Sequence, residues 1–196
     1  MKNILKRRVI SKQECLNDLK ITINTLFNAF KEATELYNKE SLLTPIESRM
    51  RGYETSLLNS KMAQCIQKHL PHNWRFGKYK RFIINIDGYN ILFKKLNKYG
   101  MPMNIRTFLS DAINNQMQYS LFNEYEEMTA PIVYFGYQKN RFGEIINPQL
   151  VYIDEDRVKW TINEYDISKS SPIVTLNDES PLVKVKRDSQ EEKKAN

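Results

Sequence analysis

A chain of 196 residues with 41% hydrophobic content is long enough to bury one core, which predicts a single domain with flanking segments. Thirty Lys and Arg against 23 Asp and Glu leave a net charge of +7. That balance suits a nucleic-acid or acidic protein partner, and equally a basic background with no partner. Cys15 and Cys65, without a CxxC pair, exclude a disulfide framework or a thiolate metal site, and no window approaches the ~18 apolar residues of a membrane span. A cytoplasmic protein with no membrane association is expected.

Residues 1–10 (MKNILKRRVI) read as a basic arm without a signal-peptide apolar run. Ser11 and Glu14 have capping-box spacing, and Leu16, Leu19, Ile23, Leu26, Phe27, Phe30, Ala33 and Tyr37 then recur at three and four. The spacing predicts an amphipathic helix over 12–38, whose stripe faces either the domain's own core or a second copy in a homodimer. Thr44-Pro45, with Glu47 behind, predicts the start of a second helix that Pro71 stops at Leu70. Arg49 lies near that start, where the helix dipole does not favour a cation, and so is a candidate contact residue.

From Asn73 to Phe82 cations and rings alternate: Arg75, Lys80 and Arg81 among Trp74, Phe76, Tyr79 and Phe82. The pattern suits single-stranded nucleic acid, and it also suits an entry strand with rings on the core and cations in water. Lys80 to Lys95 reads as a hairpin turning at Asp87-Gly88, with Lys94 and Lys95 leaving its end together. A third helix is predicted over about 105–120, with Arg106 near its start and an amide-rich side that includes Gln116. An acidic loop (121–129) leads to a strand at 132–137, a loop at 138–148, a strand at 149–153, a turn at Asp154-Glu155-Asp156 and a strand at 157–163. Trp160 reads as a half-buried anchor. Residues 168–196 lack an apolar face and read as a disordered tail, which leaves the domain at 11–167. The expected fold is α+β: two N-terminal helices, an antiparallel sheet of about five strands, and a third helix between the strand groups.

No GxGxxG, phosphate-binding P-loop, HExxH or GxSxG occurs. His69 and His72 are separated by Pro71 and lack a third ligand, so no metal site is expected there. The element order resembles the core of restriction-endonuclease-like nucleases. That resemblance implies carboxylates holding Mg²⁺ beside a lysine: Asp87, with Glu47 or Glu54 from the second helix, and Lys94. The residue two before Lys94 is Leu92, so the set lacks a ligand. Outside this alternative no cofactor is expected.

Phe93-Lys94-Lys95-Leu96, Pro102-x-Asn104-Ile105-x-Thr107, Gly136-Tyr137, Trp160 and Thr44 followed by Arg49 together resemble a family of small proteins from bacterial genomes, prophages and other mobile elements. The resemblance implies a setting, regulation of a mobile element or host–phage conflict, and carries over no catalytic residue. The leading expectation is a non-catalytic binding or regulatory protein. It would act on nucleic acid or on a regulatory partner protein through Arg49, Arg75, Lys80, Arg81, Lys94, Lys95, Arg106 and Gln116. A metal-dependent nuclease, or a degenerate relative, and an inhibitor- or immunity-type interaction factor are the alternatives.

Overall fold

A computed structural model describes residues 8–117 and 130–169. The predicted arm through residue 7, the acidic loop and the tail from residue 170 lie outside these. The helices are α1 (Lys12–Asp18), α2 (Lys20–Ser41), α3 (Tyr53–His69), α4 (Phe108–Asn114) and α5 (Glu164–Lys169). The strands are β1 (Trp74–Phe76), β2 (Phe82–Ile86), β3 (Tyr89–Lys95), β4 (Ile132–Lys139), β5 (Ile145–Asp154) and β6 (Arg157–Asn163). The fold is α+β, as expected, and the sheet differs from the expectation in two ways. It has six strands in sequential order β1 to β6, and β3 pairs with β4 in parallel.

The parallel pair explains the position of the third helix. Antiparallel neighbours need only a turn, whereas a parallel neighbour requires the chain to return across one face of the sheet. The return from Lys95 to Ile132 carries α4 over that face. Strand parity then divides the core. On face one, Ile84, Tyr89, Ile91, Val133, Phe135, Tyr137, Leu150, Tyr152 and Ile162 pack against α1, α2 and α3. On face two, Ile83, Leu92, Leu96, Ile132, Tyr134, Val151 and Ile153 pack against Leu109 and Ile113 of α4.

The predicted helices survive with altered ends. The 12–38 stripe forms α1 and α2, kinked at Leu19, and packs on the chain's own sheet. Asp18, at the kink, accepts a hydrogen bond from the Tyr89 hydroxyl at 2.7 Å and pairs with Arg8. Arg8 lies over the Tyr89 ring and Ile10 is buried, so residues 8–10 dock on the domain rather than continuing a free arm. Thr44-Pro45 opens only a short 3₁₀ turn, Ile46–Ser48, and α3 begins eight residues later than predicted. The cause is Gly52, held at φ +86° in a left-handed conformation that ends one segment and caps the next. The third helix is shorter than its apolar pattern, from the Thr107–Ser110 capping box to Asn115. The 138–148 loop shrinks to a tip, because Asn140 Oδ1 accepts from the Phe142 and Glu144 backbone N–H groups and closes the β4–β5 hairpin. The expected entry strand is only β1, after which Lys78–Lys80 forms a 3₁₀ turn.

Gln116 is a structural residue, and its placement corrects the expectation that it contacts a ligand. It is buried, with its amide nitrogen donating to Ile132 O at 2.9 Å and Ile153 O at 2.6 Å, while its oxygen accepts from Ile132 N at 2.7 Å. One side chain thus ties the end of α4 to the start of β4 and the end of β5. Gln116→Ala leaves these buried backbone groups unpaired, and its expected cost is about 2–4 kcal/mol. Denaturant melts should show a lower midpoint with an unchanged slope; an unshifted midpoint would refute the clamp.

Candidate functional site

Registers place a row of polar positions across face two. Lys94 of β3 lies beside Gly136 of β4, Gly136 opposite Gln149 of β5, and Gln149 opposite Asn163 of β6. Arg81 stands just before β2 and lines the same cleft as Lys94. The row is therefore cationic at the β2 edge, empty of side chain at Gly136, and amide-bearing toward β6. At Gly136 an added Cβ would fall 2.5 Å from the Lys94 carbonyl oxygen and 2.6 Å from Leu96 Cγ. The glycine thus lets the chain after Lys94 close over the sheet.

Arg81 and Lys94 wall a cleft of about 200 Å³ together with Leu92, Asn104, Ile113 and Tyr134. Both cations are half-buried, and the Arg81 Nη1 atom is shielded from solvent without a hydrogen-bond partner. Burial holds the Lys94 ammonium below the ordinary lysine range, and the Arg81 charge pushes it the same way. Burial also lowers Arg81, against weaker opposing effects of Tyr134 and Tyr79. Among the described residues no carboxylate pairs with either cation. Like charges that line one half-buried cleft repel each other, so the native fold holds a local penalty here. An anion entering the cleft would relieve it. Guanidinium and ammonium together offer a planar fork and a point charge, a donor set suited to phosphate or carboxylate oxygens.

On the same face, a larger polar groove of about 410 Å³ is lined by Tyr99, Gln138, Asn147, Gln149, Thr161 and Asn163. None of these residues was singled out by the sequence. Their grouping follows from the β3–β4–β5–β6 registers, and the nonlocal β3–β4 pairing leaves no local trace.

The remaining predicted residues scatter. Arg75 is half-buried on β1, opposite Ile83 and so on face two, while Lys80 is exposed in the adjoining turn. Lys95 follows Lys94 and therefore points to face one, so the two lysines part rather than leave together. Arg106 is spent on Asp111 and Asp156, both at 3.1 Å. Arg49 donates to Ser41 O at 2.6 Å and Thr44 O at 3.1 Å, stitching the C-terminal end of α2 to the segment before α3, where a cation suits the helix carbonyls.

The residues of the nuclease alternative do not meet. Glu54 lies on the helix-covered face one, bonded to Lys139 at 2.5 Å and pulled below the usual carboxylate range by it, with Arg49 adding to the effect. Lys94 points to face two. Asp87 sits in the hairpin turn at the far end of β3, roughly 16 Å from Lys94 at about 3.3 Å per residue. Glu47 is exposed on the 3₁₀ turn. Among the described residues, no group of three or more His, Cys, Asp or Glu is placed to hold a metal ion. Cys15 is buried, and burial pushes its thiol up to about 12, unsuited to nucleophilic attack.

No protein-family model, no curated protein and no solved structure matches this chain. Among the described residues no helix is long and apolar enough to cross a membrane.

Lys94→Met keeps the stem and removes the charge. Its expected effect is stabilisation on the order of 1 kcal/mol at neutral pH, or about 2–4 °C in melting temperature for a chain of this size. The sign with pH is fixed. Lys94 holds its proton less tightly folded than unfolded, so its penalty is full at neutral pH and is lost as pH rises toward the ordinary lysine value of about 10.5. The variant's advantage over the wild type should therefore shrink as pH is raised. A variant that melts lower than the wild type at pH 7 would show that Lys94 is paired and structural.

Proposed function

We propose that the chain is a non-catalytic binding protein that holds the phosphate backbone of a nucleic acid at the cleft of Arg81 and Lys94. The observation that carries this reading is two half-buried cations that line one cleft without a described carboxylate partner. Phosphate suits the surroundings better than a lone carboxylate. Lys80 is exposed in the turn just before Arg81, so a ligand with repeating negative charge meets a further cation beside the cleft. The net charge of +7 adds long-range attraction for such a ligand. The mobile-element or prophage setting is a further part of the proposal and rests on the short-motif resemblance alone. The nuclease alternative is not carried forward, since Glu54 and Lys94 stand on opposite faces.

The test is fluorescence anisotropy with labelled DNA and RNA across a salt series, for the wild type and the Arg81→Gln/Lys94→Met double variant. The logarithm of affinity should fall linearly with the logarithm of salt, and the double variant should reduce the slope by about 1–2 as two phosphate contacts disappear. Its affinity at low salt should drop at least about tenfold, since hydrogen bonds to charged groups are worth ~1.5–3 kcal/mol. A double variant that binds as the wild type does, or a wild type that binds nothing at ~50 mM salt, where backbone contacts are strongest, would overturn the reading.

A further inference from the structure

We infer that the nucleic acid at this cleft is single-stranded, held by an unpaired base stacked on Tyr79 while its phosphate meets Arg81 and Lys94. The inference rests on the cleft reading above and specifies the form of its ligand.

Tyr79 is the tip of the 3₁₀ turn Lys78–Lys80 and is 84% exposed. Its backbone lies at φ +57°, ψ +35°, and Lys80 follows at φ +53°. Two consecutive non-glycine residues in the left-handed region are strained. A glycine would relieve that strain, yet the chain keeps a large ring at one position and a cation at the other. The strain is held in place: Gly77 N–H donates to Arg81 O at 2.8 Å, and Arg81 N–H donates to Lys78 O at 3.2 Å. These two bonds fix the backbone of the turn against Arg81, two residues on from Tyr79. Among the described residues the Tyr79 ring stacks on no other ring and lies under no cation.

The neighbouring rings are not part of this surface: Trp74 and Phe82 stack at 5.6 Å and Phe76 meets Phe82 edge-on at 5.8 Å, but Trp74 pairs with Ile84 and Phe76 with Phe82, which puts all three on face one. An exposed ring beside the exposed Lys80 and a phosphate-seeking pair matches the alternation of bases and phosphates along an unpaired strand. A duplex keeps its bases inside the stack and offers such a ring no partner.

The experiment uses the full chain and labelled oligo-dT and oligo-U of about 12 nucleotides, within the usual single-strand site size, beside a duplex of equal length. Tyr79→Gly removes the ring while suiting the left-handed backbone, so the turn is preserved. It should weaken single-strand binding about ten- to hundredfold and leave duplex binding unchanged. Tyr79→Phe should bind single strands as the wild type does. If Tyr79→Gly binds single strands like the wild type while Arg81→Gln/Lys94→Met does not, the stacking inference is overturned and the cleft reading stands. Equal affinity for duplex, with the same dependence on Tyr79, also overturns it. If an acidic peptide such as poly-Glu binds and no oligonucleotide does, both readings fall.

Discussion

The parallel pairing of β3 with β4 decides which parts of face two are covered. Antiparallel hairpins build β1–β2–β3 and β4–β5–β6 with short connections, but joining the two groups in parallel sends the chain back over the sheet. The described part of the return holds little regular structure. Its described helix, α4, spans only Phe108–Asn114, enough to cover the centre of the face around Ile83, Leu92, Tyr134 and Val151. What it does not cover becomes the cation cleft on one side and the amide groove on the other. Two residues hold this arrangement. Gln116 ties the helix end to backbone at Ile132 and Ile153, and Gly136 leaves room where the chain turns back across β4.

Charge is distributed unevenly over this frame. Arg8, Lys12, Lys31, Arg49, Lys61, Lys68, Arg106, Lys139 and Lys159 all have carboxylate partners. Pairs of this kind at the surface are each worth ~0–1 kcal/mol, so they carry little of the stability. Their relevance is comparative: the chain finds carboxylates for exposed cations such as Arg106 and Lys31 and equally for largely buried ones such as Lys139, Lys61 and Arg49. Arg81 and Lys94, half-buried in one cleft, lack such partners among the described residues. A penalty tolerated at a half-buried place, in a protein whose net stability is only ~5–15 kcal/mol, is more naturally read as a binding feature than as background charge.

Local chemistry was legible in the sequence, and nonlocal pairing was not. The Asp87-Gly88 turn forms as its residues require, at φ +50° and +76°, and Glu155-Asp156 makes the second tight turn at φ +51° and +56°. The apolar stripe of the first helix and the anchoring of Trp160 also follow from spacing and residue type. The second helix was read from Thr44 because its cap signals are good; one glycine eight residues later overrode them. The parallel pair could not be read, because Asn90 and Ile132 meet only through the crossover and no turn residue records it. Gln116 was misread for the same reason, since whether an amide is solvated or buried against backbone depends on what the fold brings to it. The joint exit of Lys94 and Lys95 was a misreading that the sequence could have prevented, because strand alternation separates adjacent residues whatever the tertiary fold.

That alternation gives Lys94 its chemistry, by contrast with Lys139. Both lysines lie at or near the ends of neighbouring strands, and both are largely withdrawn from water. Lys139 faces α3, which supplies Glu54, and α2, which supplies the Tyr37 ring at 5.6 Å, so its charge is balanced. Lys94 faces α4. The acid on that helix is Asp111, and Arg106 engages both of its oxygens at 3.1 Å. The Thr107 and Ser110 hydroxyls are likewise occupied with each other and with the backbone of the capping box. Every described polar group that α4 brings near the cleft therefore has its partner already, apart from Asn104 on the approach to the helix. Among the described residues the cation pair is therefore unmatched, and that imbalance is what the proposed phosphate ligand would answer.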